Sequence, residues 1–334
     1  MRVLVRGAGV AGLAVAQVLT SRGIKVEIAE RAADIAAGAS WLAGGMLAPY
    51  CERESAGERV LAEGGDAADW WDEVVPGVVE RRGTLVVAPP RDAGELTRFA
   101  ARTSGYEWLD EHAIATLEPA LAGRFRAALF FRGEAHLDPR RAMIDLHRSL
   151  SARGVCFRFG STGDLAVRGV DRVVDCTGAG MIGRLPQLRG VRGEMLLLET
   201  AEISLSRPVR LLHPRHPVYL VPRGEGRFML GATMIESDVG GAITARSLME
   251  LLNAAYALHP AFGEAQVIET GASIRPAFPD NYPRVIEGGG TIFVNGLYRH
   301  GFLLAPAMAK AVADRLCLTG GGRNSAQVVM EELQ

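Results

Sequence analysis

The sequence predicts an α/β protein in which two domains are interleaved along the chain. Helix and strand patterns alternate through all 334 residues. Units of a strand, a glycine-rich turn and a following helix or loop recur near the N-terminus, in the middle and near the C-terminus, with no linker between them. At roughly 150 residues per domain, the length suggests about two domains. The 40 glycines indicate many tight turns and close backbone approaches.

The first 30 residues carry a dinucleotide-binding fingerprint. Residues 2–6 form a predicted strand, GAGVAG at 7–12 opens a predicted helix, and a second strand at 25–29 ends on Glu30, 23 residues after Gly7. The glycines of this motif have separate roles: a tight turn at Gly7, close approach of backbone N–H groups to a pyrophosphate at Gly9, and helix-to-strand packing at Gly12. Glu30 suits an adenosine ribose and disfavours a 2′-phosphate. The motif alone leaves both FAD and NAD open.

A second glycine motif follows the predicted strand at 172–176. GAGMIG at 178–183 is a literal GxGxxG, and Glu199 lies 21 residues after its first glycine. Pro186 falls where a crossover helix should run, and Gly190 and Gly193 interrupt what remains. Two interpretations stay open here, a second dinucleotide site or a strand and TGAG loop that returns beside the first site, and we favour the loop.

The remaining elements follow from hydrophobic periodicity and turn chemistry. Helices are predicted at 59–75, 140–153, 244–258 and 303–316, with Thr244 as an N-cap. Strands are predicted at 84–88, 218–222, 227–232, 266–275 and 291–295. RGEG at 223–226 joins two of these strands and predicts a hairpin.

The composition excludes several classes of protein. With 37 Lys and Arg against 38 Asp and Glu, the net charge of −1 gives no electrostatic footprint for nucleic acid or a membrane surface. A hydrophobic content of 48 % excludes a disordered chain. The four cysteines form no CxxC pair, so we expect neither disulfides nor a metal site, and a cytoplasmic location. The uncharged stretch 7–21 could be taken for a signal peptide, but its three spaced glycines argue against one.

The motifs together resemble the D-amino-acid-oxidase and sarcosine-oxidase superfamily of flavoproteins, and within it the ThiO-type glycine oxidases. In chain order they are GAGVAGLAVAQVLTSRG and VEIAE within 7–30, GASWLAGGMLAP (38–49), LEPAL (117–121), DPRRAMIDL (138–146), VYLVPRGEGRFMLGATM (218–234), SIRPAFPDNYP (273–283) and GLYRHGFLLAPA (296–307). The resemblance implies a Rossmann-like FAD-binding domain interleaved with an α+β substrate-binding domain built on an antiparallel sheet. We expect the FAD-binding domain at 1–75, 139–184 and 286–334, and the substrate-binding domain at 76–138 and 185–285.

The resemblance also implies roles for single residues. Arg275 matches an arginine that grips the carboxylate of an amino acid, Tyr219 a tyrosine that helps to hold it, and Arg299 an arginine near flavin and substrate. Met46, Met234 and His300 would border a small pocket. The implied cofactor-binding positions are Gly7, Gly9, Val10, Ala11, Gly12, Glu30, Arg31, Ser40, Gly44, Gly45, Met46, Thr177, Gly178, Arg299, Gly301, Phe302 and Leu303.

Three positions bear on how closely the chain follows the family. Ser273 stands where sarcosine oxidases with covalent flavin have a cysteine, so we expect non-covalent FAD. His300 stands where glycine oxidases more often have asparagine, and Asn281 where glycine is common. Both departures lie near the presumed pocket mouth and leave the amine substrate less defined than the chemistry.

The implied activity is oxidation of glycine or a small N-substituted glycine by FAD, with O2 as electron acceptor and hydrogen peroxide as product. The resemblance also implies a homo-oligomer. The implied role is supply of iminoglycine for the thiazole of thiamine. The sequence leaves open an amino-acid dehydrogenase or demethylase that acts on sarcosine, a D-amino acid or a proline-like amine with another electron acceptor. A non-catalytic FAD-binding protein is a further alternative, and an NAD-linked dehydrogenase lacks a second nucleotide signal.

Overall fold

Helices and strands alternate along the chain in a computed structural model that describes residues 1–161, 169–213 and 217–319. The strands of these residues are β1 (Arg2–Arg6), β2 (Lys25–Ala29), β3 (Met46–Leu47), β4 (Val79–Glu80), β5 (Thr84–Val87), β6 (Glu107–Asp110), β7 (Ala127–Phe131), β8 (Ala135–Leu137), β9 (Cys156–Arg158), β10 (Arg172–Asp175), β11 (Arg189–Glu199), β12 (Val209–Leu211), β13 (Val218–Pro222), β14 (Arg227–Gly231), β15 (Ile235–Glu236), β16 (Gln266–Ala277), β17 (Arg284–Gly288) and β18 (Thr291–Asn295). The helices are α1 (Val10–Ser21), α2 (Gly38–Trp41), α3 (Pro49–Ala56), α4 (Glu58–Gly64), α5 (Ala67–Val74), α6 (Gly94–Ala100), α7 (Glu111–Leu117), α8 (Pro139–Ala152), α9 (Ala245–Leu258) and α10 (Gly301–Thr319).

One sheet of the described chain is mainly parallel and contains the N-terminal fingerprint. Its strand order is β17-β18-β10-β1-β2-β9, and all neighbours pair in parallel except β17 and β18. Val3 and Val5 of β1 and Val26 and Ile28 of β2 pack with α1, α8 and α10 in one apolar core. Because the strands are parallel, the loops that follow β1, β2 and β10 all leave from the same edge of the sheet.

A second, larger sheet is mainly antiparallel. Its order is β15-β11-β14-β13-β12-β5-β7-β6, with β16 paired to β11. The predicted hairpin is confirmed, since β13 and β14 pair antiparallel with Tyr219 opposite Gly231. The two sheets draw their strands from alternating stretches of the chain, which supports the predicted interleaving. The domain boundaries themselves stay a prediction, and residues 162–168 and 320–334 of the predicted FAD-binding domain lie outside the described residues.

Helix ends follow the capping chemistry of the sequence. The side chain of Thr244 accepts a hydrogen bond of 3.2 Å from the backbone N–H of Ser247 and begins α9, as predicted. Asp138 caps α8 in the same way through the N–H of Arg140, at 2.8 Å. Pro139 occupies the first turn of α8, where its missing N–H costs nothing.

Two sequence predictions are corrected or decided by the structure. The segment predicted as one helix at 59–75 forms α4 and α5 instead, because Gly64 and Gly65 weaken the helix. Packing requires the glycine at 64, since a Cβ there would lie 2.8 Å from Leu303 of α10. The second GxGxxG opens no crossover helix: Gly178–Met181 is a short 3-10 turn, and Gly190 and Gly193 lie in β11. The loop interpretation is therefore confirmed. Within the part of the chain that the structure describes, no helix combines the length and apolarity needed to cross a lipid bilayer.

Candidate active site

A cavity opens where the antiparallel sheet faces the loop before α10. The cavity and the open solvent at its mouth together occupy about 340 Å³. Its lining consists of Arg210, Pro217, Val218, Tyr219, Ala232, Met234, Arg275 and Arg299. Four of the predicted site residues, Tyr219, Met234, Arg275 and Arg299, therefore come together around one small space. Three guanidinium groups border it, which makes the cavity attractive to an anion.

Arg275 lies near the C-terminal end of β16, and one edge of its guanidinium is fixed by the protein. Its Nη2 atom donates to the carbonyl oxygen of Thr233 at 2.5 Å, and its Cζ lies 5.2 Å from the centroid of the Tyr298 ring. Burial lowers its pKa, although an arginine stays protonated at neutral pH. The group thus presents a fixed positive charge to the cavity.

Tyr219 stands on β13 with its ring held against a glycine. A Cβ on Gly44 would lie 2.5 Å from the Tyr219 ring, and a Cβ on Gly231 would lie 3.4 Å from its hydroxyl. Burial raises the pKa of Tyr219, so the phenol is a neutral O–H group that can donate a hydrogen bond into the cavity.

Arg299 is paired with a carboxylate that the sequence analysis missed. Its Nη2 atom lies 2.8 Å from Oε1 of Glu52 on α3, and its Nη1 atom lies 3.7 Å from the sulfur of Met234. Burial works against ionisation of Glu52, but Arg299, His300 and Arg210 outweigh it and hold the pKa of that carboxyl well below its usual range. Glu52 is therefore ionised and orients Arg299 at the cavity wall.

His300 and Met46 lie outside the cavity lining. His300 is 1 % exposed, and its Nδ1 atom lies 3.2 Å from Oε2 of Glu52 without the alignment of a hydrogen bond. Met46 is half-buried in β3 and pairs with His136 of β8. The contact of either residue with substrate stays a prediction.

The loops that follow β1, β2 and β10 form a second feature, a cradle at the N-terminus of α1. Gly7 has a φ of +96°, and a Cβ there would lie 2.6 Å from the carbonyl oxygen of Cys176. The predicted cofactor positions Thr177 and Gly178 therefore run beside the first glycine loop. Gly301, which begins α10 ahead of Phe302 and Leu303, would bring a Cβ within 3.2 Å of Val10. The N-termini of two helices thus meet here, which suits phosphate groups.

Polar side chains complete this cradle. The Glu30 carboxylate accepts hydrogen bonds from the N–H groups of Ala8 at 2.7 Å and Ala32 at 2.8 Å. The N–H of Val10 donates to the Ser40 hydroxyl at 3.1 Å, and Arg31 is exposed at the rim. Apart from its chain neighbours, the one described atom that would lie within 4 Å of a Cβ on Gly9 is the Ser40 hydroxyl oxygen. The first turn of α1 therefore has room for a pyrophosphate, and Glu30 sits where a ribose would bind.

The sequence from residue 2 to residue 315 matches the DAO family, described as FAD dependent oxidoreductases. The chain belongs to this family. A Rhizobium etli protein provisionally named thiamine biosynthesis oxidoreductase ThiO is 68 % identical over 96 % of this chain and 98 % of its own length. The glycine oxidase of Pseudomonas aeruginosa is 28 % identical over 94 % of each chain. The crystal structure of glycine oxidase from Geobacillus kaustophilus has the same fold, with a TM-score of 0.80 at 22 % identity over 98 % of this chain and 97 % of its own.

FAD is the cofactor of this family, and the cradle fits it. The glycine loop and the N-terminus of α1 would hold the pyrophosphate, Glu30 the ribose, and the start of α10 a further part of the cofactor. Gly44 and Gly45 are close to protein rather than to open space, since a Cβ on Gly45 would lie 2.2 Å from the carbonyl oxygen of Leu137. Their predicted contact with the cofactor stays a prediction.

Two further arginines that support the site, the half-buried Arg223 and the buried Arg210, were not indicated by the sequence. Arg223 donates to the carbonyl oxygen of Gly44 at 2.9 Å and holds that loop under Tyr219; burial lowers its pKa to about 10. Arg210 lies 3.7 Å from Glu52 and donates to the carbonyl oxygen of Cys51 at 3.1 Å. Arg223 directly follows the motif VYLVP, which was the available signal. Nothing in the charged stretch CERE distinguishes Glu52 from its neighbours.

Glu134 is a buried carboxyl behind the site, and its protonation is expected to affect stability. It is 1 % exposed, and burial raises its pKa to about 7 although the Cys51 N–H donates to it at 2.7 Å. The ordinary pKa of this carboxyl is 4.5. Between pH 4.5 and pH 7, therefore, the carboxyl is protonated in the folded protein and ionised in the unfolded chain. Stability from this group is therefore lost as pH rises toward 7.

Glu134→Gln should remove this pH dependence. At pH 8.5 we expect the variant to melt about 3–6 °C above the wild type, and at pH 4.5 we expect equal melting temperatures. Differential scanning calorimetry at both pH values measures the difference, with Glu73→Gln, an exposed carboxylate of α5, as the matched control. A variant that melts below the wild type at pH 8.5 would contradict the assignment.

Proposed function

We propose that the chain catalyses the FAD-dependent oxidative deamination of glycine or a small N-substituted glycine. The observation that carries the proposal is the guanidinium of Arg275, which is anchored to Thr233 and lines a small cavity together with Tyr219. A carboxylate is the anion that such a planar fork binds best, through two parallel hydrogen bonds. The name of the Pseudomonas aeruginosa relative, glycine oxidase, supports the same activity.

The protein residues bind and orient the substrate. Arg275 would bind the carboxylate and Tyr219 would donate a second hydrogen bond to it, so that the α-carbon and the amine take a defined direction in the cavity. FAD, when bound, takes up two electrons from the substrate and passes them to O2. In balance, glycine, O2 and water give glyoxylate, ammonia and hydrogen peroxide. The amine must be neutral for this oxidation, and no protein base is needed at the α-carbon.

The lining of the cavity favours a small substrate. Ala232, Val218 and Met234 provide apolar walls around the arginines, and Met234 is half-exposed at the mouth. A hydrogen atom or a short alkyl group on the amine fits such a space better than a large side chain on the α-carbon. We therefore expect glycine, N-methylglycine and N-ethylglycine to be better substrates than D-amino acids with bulky side chains.

The proposal extends to the setting of the enzyme. We propose that its product, iminoglycine, supplies the thiazole of thiamine, in line with the name of the Rhizobium etli relative. We propose a cytoplasmic location, which the four free cysteines favour. We also propose a homo-oligomer, and size-exclusion chromatography with light scattering tests it.

A substrate panel tests the proposed reaction. The purified yellow holoenzyme should convert glycine to glyoxylate and peroxide in equal amounts, with acid releasing the non-covalent flavin. The panel is glycine, sarcosine, N-ethylglycine, D-alanine and D-proline, read by peroxide formation and by reduction of an artificial electron acceptor. Dye reduction without peroxide would favour the dehydrogenase or demethylase instead. A flavin-loaded protein that is inert towards all five compounds would favour the non-catalytic alternative.

A further inference from the structure

We infer that Gly193 and Thr233 are positioning residues for the Arg275 guanidinium, held in place by Glu194. The inference rests on the proposed function, since it concerns how the carboxylate-binding arginine is aimed. Gly193 and Glu194 lie in the middle of β11, and Thr233 lies in the segment between β14 and β15. From the sequence, Gly193 is expected only to interrupt a helix. Two independent contacts assign the new role.

The first contact is the fit of Arg275 over Gly193. β11 and β16 pair antiparallel, with Gly193 opposite Ser273. A Cβ on Gly193 would lie 2.7 Å from Cζ, 2.8 Å from Nε and 2.9 Å from Nη2 of Arg275. The guanidinium therefore lies directly over the glycine backbone. Because the side chain of Arg275 is flexible, any larger residue at 193 would leave the strands paired and move the guanidinium instead.

The second contact is the hydrogen bond from Arg275 to Thr233. Nη2 of Arg275 donates to the carbonyl oxygen of Thr233 at 2.5 Å. This carbonyl can orient the guanidinium only if Thr233 is itself fixed. Three hydrogen bonds to Glu194 fix it: the Thr233 N–H donates to the backbone oxygen at 3.3 Å, its hydroxyl donates to the carboxylate at 3.1 Å, and that hydroxyl accepts from the Glu194 N–H at 3.0 Å.

Glu194 is anchored in turn by groups on the far side of the sheet. The residue is 0 % exposed, and its carboxylate lies 2.9 Å from Nη2 of Arg192 and accepts from the N–H of Thr244 at 3.2 Å. Arg192 donates to the carbonyl oxygen of Val239 at 2.9 Å. A chain of partly buried polar contacts thus runs from the N-terminus of α9 to the edge of the cavity. Each member has its partners, which makes the arrangement rigid.

This arrangement has a consequence for carboxylate binding. One terminal nitrogen of Arg275 donates a hydrogen bond to the carbonyl oxygen of Thr233, so the guanidinium plane has a single orientation in the cavity. A bidentate contact with a carboxylate depends on that orientation as well as on charge. Moving the guanidinium should therefore weaken binding of carboxylates and leave binding of an amine without a carboxylate unchanged.

The test compares matched variants of the holoenzyme. Thr233→Val removes the hydroxyl that bonds to Glu194, and Thr233→Ser retains it. Gly193→Ala adds one methyl group under Arg275, whereas Gly288→Ala adds the same group in β17, where no described atom lies within 4 Å of the new Cβ. Flavin content and melting temperature are measured for all four to establish folding. Acetate, a carboxylate without an amine, is titrated against each and followed by the perturbed flavin absorption spectrum.

We expect Gly193→Ala and Thr233→Val to weaken acetate binding by roughly tenfold or more, the loss that follows when one charge-assisted hydrogen bond fails. KM for glycine should rise by a similar factor with a smaller change in kcat. Thr233→Ser and Gly288→Ala should stay within about twofold of the wild type. Turnover of methylamine, an amine without a carboxylate, should be equal in all variants.

The outcomes separate this inference from the proposed function. If the wild type oxidises glycine and binds acetate, but Gly193→Ala and Thr233→Val bind acetate within twofold of it, the positioning role is wrong and the function stands. Equal losses in Thr233→Val and Thr233→Ser would also overturn the role of the hydroxyl. If the wild type neither oxidises glycine nor binds acetate, the proposed function itself is wrong.

Discussion

Arg275→Ala is expected to lower kcat/KM for glycine by about 10³-fold. Two charge-assisted hydrogen bonds at about 1.5–3 kcal/mol each are lost, and loss of orientation adds to the effect. Most of the change should appear in KM, because the carboxylate is bound in the ground state as well as in the transition state. Arg275→Lys should recover only a small part, since an ammonium group lacks the planar fork. Initial rates of peroxide formation over a range of glycine concentrations give both constants.

The matched control is Arg246→Ala. Arg246 lies on α9 with a side chain that is 70 % exposed and does not line the cavity, so its loss removes the same charge outside the site and should leave kcat/KM unchanged. Flavin content must be equal in wild type, variant and control. If Arg275→Ala retains kcat/KM within threefold of the wild type, Arg275 does not bind the carboxylate and the proposed orientation of substrate is wrong.

Local chemistry made the N-terminal part of the fold predictable. The bounds of β1 and β2 agree with the structure to the residue, because the turn, the helix start and the strand end each need a particular residue type. Gly7 adopts the positive φ that the turn requires, and Thr244 caps α9 for the same kind of local reason. Where a signal lies within a few residues of its effect, the sequence is enough to predict the structure.

The candidate site depends on contacts between distant segments and was only partly predictable. Arg275, Tyr219 and Arg299 were found because they lie in motifs of a known family. Glu52 was missed because its burial results from packing of α3 against the loop before α10, 247 residues away. Similarly, no local pattern reports that Gly193 lies under a guanidinium supplied by another strand. Such residues become visible only when the sheet register is known.

Gly44 has a structural role that the sequence did not indicate. From the sequence, Gly44 was expected to leave room beside a cofactor. In the structure a Cβ at this position would collide with the ring of Tyr219, and Arg223 fixes the carbonyl oxygen of Gly44. The glycine is therefore needed to seat the ring of Tyr219, and its contact with FAD stays a prediction. A larger residue here would disturb Tyr219 first.

Gly12→Ala is expected to give a protein that holds almost no FAD. A Cβ on Gly12 would lie 1.9 Å from the carbonyl oxygen and 3.0 Å from the carbonyl carbon of Gly7. Both atoms belong to backbone, so no side-chain rotation relieves the clash, and either α1 moves away from β1 or the turn at Gly7 opens. In both cases the N–H groups at the start of α1 leave the position in which they would meet the pyrophosphate.

The expected flavin content of Gly12→Ala is below about a tenth of the wild-type value, with a destabilisation of about 3 kcal/mol or more from overpacking. The ratio of flavin absorbance to protein absorbance after purification, repeated after incubation with excess FAD, measures the loss. Gly94→Ala is the matched control, because its new Cβ at the start of α6 would meet nothing closer than Arg98 Nη2 at 3.9 Å. A yellow Gly12→Ala protein with normal flavin content would show that helix α1 does not bind the cofactor through its first turn.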